Sequence, residues 1–516
     1  MNSLSVAMAL LPVAVIFILL VWRRTAADTA GVAGWLAALA VAWLFFKTPW
    51  NVLLGASAAG AVASLPITLM VAASILQVTV MLETGAIARV VALVKTVAPA
   101  DRAVQVMVLN VGIGTLLAAM GATPVSILPP IMMALGYSSF VSIALPALGY
   151  DALCTYALLG IPVVVFSGFV GLPVAQVGGL FARYMPVIST CIALGMLWIA
   201  GGWRMVRYGL LPALLSGVTA GLVAIAMNAA GLVTLTGVAA GLAVVVVMLL
   251  YLLATRKPLH DRAALDERDL AAEKHMPLAA ALSPWIILVA AAVLVNAPAL
   301  PLFDLVFKRL DMPVAIIPGA PEKVRLLWQA YFWILVSTAL ALPYLKPTRR
   351  QLTTSLSKWL KRAPRPMLAS AVFFAIAYVI NHSGKGPDWA LVDQSRNMVV
   401  VLAQASAGLF GKLYPLIAPF LGLLAGFISG SEASAIAMLT KLHLSTAEKI
   451  GASGALVAAA SGIGGGLASV ISPAKLQNAA ASIDRIGEES QVLRVTFVIS
   501  IVITAVCAVM TLLWAY

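Results

Sequence analysis

The chain has 516 residues, of which 62% are hydrophobic and only 10% charged. Soluble domains carry about 25% charged residues, so this composition excludes an ordinary water-soluble globule. A net charge of +14 would suit nucleic acid if the basic residues formed one patch, but they sit mainly in short segments between apolar runs, where they orient a membrane protein.

The first apolar run, 4–22, has no basic segment before it and is followed by Arg23 and Arg24. That charge order suits an uncleaved first helix with its N-terminus outside. Crossing a hydrocarbon core takes ~20 apolar residues. Candidate helices follow at 30–47, 62–84, 139–168, 174–202, 207–230, 232–254, 278–297, 326–345, 366–382, 446–480 and 491–514. Two further apolar regions, 104–136 and 412–443, are each interrupted near the middle by Gly, Ser, Thr or Pro. A polar break at that depth fits a helical hairpin that enters and leaves by one face, covered by protein or a watery cavity. The pattern predicts an all-α polytopic membrane protein with about 12 transmembrane helices and two re-entrant hairpins. Cys154, Cys191 and Cys507 are scattered and show no disulfide or metal spacing.

Charge tests this count. With the N-terminus outside, the inside segments 23–30, 88–103, 203–207, 255–277, 346–365 and 484–494 hold 21 of the 33 Lys and Arg, seven of them in 346–365. This excess places both termini outside, in a multi-pass protein of a bacterial inner membrane.

Sliding the sequence by 311 residues aligns 121–162 with 432–473 without a gap and with eight identities. Thr123 falls on Ser434, and Pro162 falls on Pro473. Seven crossings lie between the two hairpins, so the second repeat should be inverted relative to the first. That is the plan of secondary transporters, with substrate bound near the midplane between broken helices. The expected organisation is a first repeat over 1–202, a connecting part over 203–277 and a second repeat over 278–516.

Few acidic residues lie deep in apolar sequence, and intramembrane charge points to function. Asp151 follows Gly149–Tyr150 inside 139–168, and Glu432 follows Gly430–Ser431 at the second hairpin break. Either could carry a coupling proton; either could instead cap an unwound helix through backbone N–H groups. Glu83 sits near a helix end. Broken helices expose N-terminal amides that attract carboxylates. This makes Thr123, Ser126, Tyr150, Ser431, Ser434, Ser461, Gly464 and Gly465 candidate substrate-binding residues, with a helix break expected over 461–466. Close packing through small residues is the alternative for that glycine run. Lys475 follows Ser472–Pro473 and could supply positive charge. No nucleotide-binding, zinc, haem or nucleophile motif is present, so neither an enzyme nor a cofactor or metal is expected.

The sequence resembles the L-lactate permease family. The resemblance is carried by Gly121–Ala122–Thr123–Pro124 with Leu135–Gly136–Tyr137, by Leu159–Gly160–Ile161–Pro162, by Phe427–Ile428–Ser429–Gly430–Ser431–Glu432, by Ile471–Ser472–Pro473 and by Ile486–Gly487–Glu488–Glu489–Ser490. It implies inward transport of lactate, glycolate and related 2-hydroxy monocarboxylates with protons, and a fold with paired hairpins. The chain departs from the family pattern at Tyr150–Asp151–Ala152–Leu153, at Leu116–Leu117, at Ser461–Gly462–Ile463 and at Ser469. The leading expectation is therefore a proton-coupled monocarboxylate symporter whose partners are a small organic anion, a proton and the lipid bilayer. The residues alone leave open a sodium-coupled or exchange carrier, a non-transporting membrane subunit, and whether the chain forms a homodimer.

Overall fold

The computed structural model of the chain describes residues 3–19, 23, 25, 27–96, 101–121, 123–151, 153–259, 262–296, 300–483, 485 and 487–516; the side chains of 27, 150, 151, 264, 296, 428, 429, 473, 474, 477, 481, 489 and 490 lie outside that description. Four helices open the chain: α1 Ser3–Phe17, α2 Ala27–Leu44, α3 Trp50–Ala63 and α4 Leu65–Glu83. The short α5 Ala86–Thr96 leads to an arm built from α6 Arg102–Val106, a π-helical stretch Met107–Ile113 and α7 Gly114–Ala119. Then come α8 Pro124–Ala134, α9 Ser139–Asp151, α10 Ala157–Val170, α11 Val174–Ala182, α12 Met185–Tyr208, α13 Leu210–Ala229 and α14 Thr236–Ala254. The middle of the chain carries α15 Glu267–His275, α16 Leu278–Asn296, a small hairpin of β1 Met312–Val314 and β2 Glu322–Val324, and α17 Ala330–Leu345. The last part runs through α18 Arg349–Arg362, α19 Pro364–His382, α20 Met398–Phe410, α21 Tyr414–Ser429, α22 Glu432–Ile450, α23 Gly454–Leu467, α24 Pro473–Ser482 and α25 Glu489–Trp514.

The protein is an all-α membrane protein. Among the described residues, ten helices are long and apolar enough to cross a membrane, or eleven if α9 and α10 form one bent span. Helix is what an apolar backbone must adopt in lipid, because each N–H and C=O then finds its partner inside the segment. The lipid face is visible on α14. Leu242, Val246 and Leu250 are 47%, 53% and 57% exposed, while Val244, Met248 and Leu252 on its other side are fully buried. A stripe of bare leucine and valine along a whole helix would be costly in water and is at home against acyl chains.

Three features differ from the reading of the sequence. The stretch between 47 and 62 holds α3, whose small residues let it lie against α19; Gly60 meets the backbone of Phe374 and Ala375. The basic segment 346–365 is largely an amphipathic helix, α18, pinned by Trp359 Nε1 to the carbonyl of Ala72 at 2.8 Å and by Lys358 to Glu83 at 2.5 Å. The expected break over 461–466 is absent. Helix α23 runs straight through the glycines, and the chain breaks after them, in a 3-10 turn over Ser469–Ile471. The glycines serve close approach instead. A Cβ on Gly464 would collide with the carbonyl of Pro419 in α21, and one on Gly465 would lie 2.7 Å from Cβ of Ala435 in α22.

The order of elements recurs. A long helix (α4, α19), a short one (α5, α20), an arm (α6–α7, α21), a second arm (α8, α22), a helix (α9, α23), a break and a further helix (α10, α24) appear twice. The helices after the two breaks are exchanged: α10 packs on α22, and α24 packs on α8.

Candidate functional site

The two hairpin breaks share a local design. Gly121 (φ +84) ends the first arm and Gly430 (φ +68) the second. Only glycine takes that left-handed conformation freely. An extended residue follows, Thr123 (φ −94, ψ 100) or Ser431 (φ −145, ψ 128), at the N-cap of the next helix. Three residues on stands a second hydroxyl, Ser126 or Ser434. Thr123 Oγ1 donates to Ser126 Oγ at 3.3 Å, and Ser434 N donates to Ser431 Oγ at 3.4 Å. The turns thus pair Thr123 with Ser431, whereas the gapless slide paired it with Ser434. No single offset can serve the whole repeat, because α8 has 11 residues and α22 has 19.

The second pair of breaks lies between α9 and α10 and between α23 and α24. The first includes Leu153 (φ −140, ψ 41) and passes through left-handed Leu158 (φ 58), Leu159 (φ 56) and Gly160 (φ 77) before α10 becomes regular. For two leucines that costs about 1–2 kcal/mol each, a strain the surrounding burial must offset. The second is the 3-10 turn of Ser469–Ile471 followed by extended Ser472.

These four irregular points meet. Thr155 Oγ1, in the first break, donates to Glu432 Oε1 at 2.6 Å. Cys154 Sγ lies 3.9 Å from Ser469 Oγ in the other break. Lys475 Nζ, one turn into α24, donates to Ser469 Oγ at 2.7 Å. Asn478 Nδ2 of α24 donates to Ser126 Oγ of α8 at 2.9 Å. The N-terminal turns of α8, α10, α22 and α24 therefore gather around one crossing. The regular helices that start there, α8, α22 and α24, present the positive ends of their dipoles, and Lys475 adds a full charge.

Glu432 is the acid of this crossing. It is the first residue of α22, is 3% exposed, and packs so closely on α23 that a Cβ on Gly466 would lie 2.6 Å from its Oε2. Its Oε1 accepts from Thr155, and its Oε2 has no hydrogen-bond partner among the described residues. Ser434 Oγ, two residues further along α22, is likewise buried without a partner among the described residues. Buried polar atoms are normally paired, so each is an unfilled hydrogen-bonding position at the start of α22.

Of the residues singled out by sequence, Thr123, Ser126, Ser431, Ser434, Glu432 and Lys475 are brought to this crossing. Tyr150 and Asp151 belong to the last turn of α9, but their side chains lie outside the described residues. Gly464 and Gly465 are packing positions, and Ser461 is turned to other work. It contacts His443 Nε2 at 2.7 Å, while His443 Nδ1 contacts the Tyr414 hydroxyl at 2.8 Å, so a fully buried imidazole ties α21, α22 and α23 together. Glu83 pairs with Lys358 away from the crossing. Thr155, Cys154, Ser469 and Asn478 were not singled out as site residues. Only their place in Ser/Thr-containing breaks, or just after one, could have marked them.

Comparison with known proteins gives the chain its relatives. The model of the family described as L-lactate permease matches residues 5–516. An L-lactate permease of Salmonella typhimurium is 26% identical over 99% of this chain and 96% of that relative. The glycolate permease GlcA of Escherichia coli K12 is 24% identical, covering 100% of this chain and 96% of its own length. An L-lactate permease of Bacillus subtilis is 24% identical over 99% and 96%, respectively.

Proposed function

The chain belongs to the L-lactate permease family, and from that premise we propose that it is a secondary transporter carrying a small monocarboxylate, such as L-lactate or glycolate, inward together with a proton. The observation that carries this reading is the crossing itself. A carboxylate of two or three carbons needs hydrogen-bond donors and a positive field; the hydroxyls of Thr123, Ser126, Ser431 and Ser434 would supply the first, and the N-terminal ends of α8, α22 and α24 with Lys475 the second. The substrate's carboxylate would lie among Thr123, Ser126, Ser431, Ser434 and Lys475, and its 2-hydroxyl would reach toward the Thr155–Glu432 pair.

Glu432 is the residue best placed to carry the proton. A charged side chain at bilayer depth costs ~2.5–3.5 kcal/mol on insertion scales. Taking up a proton removes that cost, and the neutral carboxyl can then donate through its second oxygen to the bound anion. Loading proton and anion together lets the occupied site move as a unit without net charge added to the crossing. The two hairpins entering from opposite faces, the inverted repeat and the outside termini belong to the same proposal. So does the division into repeats over 1–202 and 278–516. Asp151 remains a second candidate for the proton by its position at the first break.

The test is uptake by purified protein in liposomes under an imposed pH gradient. Wild-type protein should concentrate L-lactate or glycolate when the outside is acidic. Glu432→Gln keeps the shape and the Thr155 contact but cannot ionise, so it should exchange substrate without concentrating it. Concentration by Glu432→Gln with unchanged pH dependence would assign the proton to another group. Concentration driven by sodium alone would replace the proton by a cation.

A further inference from the structure

Helix α24 carries two donors on one face. Lys475 and Asn478 are three residues apart, so their side chains are neighbours along it. Each donates to a serine hydroxyl outside the helix. Lys475 Nζ reaches Ser469 Oγ in the preceding turn at 2.7 Å, and Asn478 Nδ2 reaches Ser126 Oγ on α8 at 2.9 Å. Both acceptors are held in place. The turn of Ser469 is tied to α25, where Thr496 Oγ1 donates to the carbonyl of Val470 at 3.2 Å and Ser500 Oγ to that of Leu467 at 3.2 Å. Ser126 sits in the first turn of α8, which packs directly on α24.

A serine hydroxyl has one proton to donate and two lone pairs with which to accept. Ser126 Oγ has both lone pairs taken, one by Thr123 Oγ1 at 3.3 Å and one by Asn478. Its proton is the capacity it has left, and among the described residues no acceptor takes it. Ser469 is in a similar state. It accepts from an ammonium, and its other neighbour among the described residues is Cys154 Sγ at 3.9 Å, a weak acceptor. The two ends of the crossing differ in access. Glu432 is 3% exposed, whereas Ser126 is half-buried and Asn478 exposed, so a solute can reach the Ser126 hydroxyl from open space.

We infer that Asn478 is a substrate-positioning residue: by donating to Ser126 it commits that hydroxyl to donate in turn to the substrate's carboxylate, as Lys475 commits Ser469. The inference rests on the transport reading and names what sets its preference for an acid. A carboxylate only accepts hydrogen bonds, so it matches hydroxyls whose lone pairs are already used. A carboxamide of the same shape brings two N–H donors, and these find no free lone pair on Ser126. Asn478 does not touch the substrate; it acts through Ser126.

The experiment measures L-lactate and glycolate uptake in liposomes for wild type, Asn478→Ala, Asn478→Asp, Ser126→Ala and the double variant Asn478→Ala/Ser126→Ala, with unfolding curves for each. Asn478→Ala frees the hydroxyl to rotate and should raise KM about twofold to tenfold with kcat nearly unchanged. Asn478→Asp keeps the size but accepts the Ser126 proton, and should raise KM roughly tenfold or more. L-Lactamide should compete poorly with L-lactate in wild type and relatively better in Asn478→Asp. In the Ser126→Ala background, Asn478→Ala should add nothing, because the two residues act as one unit. Additive effects in the double variant, or lower thermal stability and kcat with KM unmoved, would make Asn478 a packing residue and overturn the inference. Equal competition by lactamide and lactate in wild type would overturn it too. Wild-type uptake with an unchanged KM in both Asn478 variants would overturn this inference alone. No uptake of either acid by the wild-type protein would overturn the transport reading and this one with it.

Discussion

The two hairpin breaks are built alike and differ at one chemical position. Both reverse through a left-handed glycine, cap the next helix with a hydroxyl residue, and place a second hydroxyl at the third helical residue. At the first helical residue the first hairpin has Pro124 and the second has Glu432. Proline is the neutral choice there, since its missing N–H would be unpaired anyway. Glutamate at the same place complements the helix dipole but brings a carboxyl into the most buried part of the molecule. The shared features set the shape of the breaks, and the difference is a single ionisable group, to which the proposal assigns the proton.

If that division is right, damage to the chemistry should leave the fold intact. Thr155→Val removes the donor to Glu432 without changing size. The lost hydrogen bond costs about 1.5–3 kcal/mol of stability and lowers the unfolding temperature accordingly. If Thr155 also sets the proton affinity of Glu432, proton-driven uptake, read as initial rate in liposomes, should fall roughly tenfold or more and its pH dependence should shift, at temperatures where the variant is fully folded. A loss of stability with unchanged uptake and pH dependence would make Thr155 part of the packing.

Damage to the shape should act the other way. Gly464→Ala forces a methyl into the carbonyl of Pro419, and overpacking of this kind costs about 1–3 kcal/mol. Gly430→Ala must hold a left-handed backbone and costs about 1–2 kcal/mol. Both should lower the unfolding temperature in detergent, Gly464→Ala the more. A Gly464→Ala protein as stable as wild type would mean that α21 and α23 do not approach as closely as their glycines permit.

The caps give a finer contrast. Ser431 accepts a backbone N–H and Thr123 does not. Ser431→Ala should therefore cost about 1 kcal/mol and Thr123→Ala less, measured by the same unfolding experiment. The smallest effect lies outside the membrane. The backbone N–H of Asp269, then the Lys95 ammonium, hold the Asp266 carboxyl at about 2, below its free value of about 3.9. A depressed carboxyl adds stability that is complete above its unfolded value and is lost as pH falls through the folded one. Hydrogen exchange in α15 should quicken between about pH 4 and 2, and Asp266→Asn should flatten that dependence.

How much of this could be seen in the sequence depends on range. Glu432 was legible because an acid in apolar sequence is expensive, and both hairpin breaks were legible because Gly and Ser interrupt otherwise apolar runs. Partners such as Thr155, 277 residues from Glu432, and Asn478, 352 residues from Ser126, are set by the exchange of α10 and α24 between halves. No local pattern encodes that. The run Gly464–Gly465–Gly466 was misread for a related reason. Glycine loosens a helix in water, but in a membrane it lets another backbone come close, and the backbones in question belong to α21 and α22. The helix α3 was missed because its 14 residues are short for a span and rich in Gly, Ala and Ser.

The crossing itself can be probed through a residue it already contains. Cys154 is 5% exposed and sits between Thr155 and the Ser469 turn. In protein carrying Cys191→Ala and Cys507→Ala, a membrane-permeant maleimide can react only there, whenever the site opens. If the substrate binds at the crossing, L-lactate or glycolate at ten times its dissociation constant should slow this modification about tenfold by mass action, while chloride at equal ionic strength should not. Modification at an unchanged rate in protein that still takes up the substrate would place the binding site elsewhere.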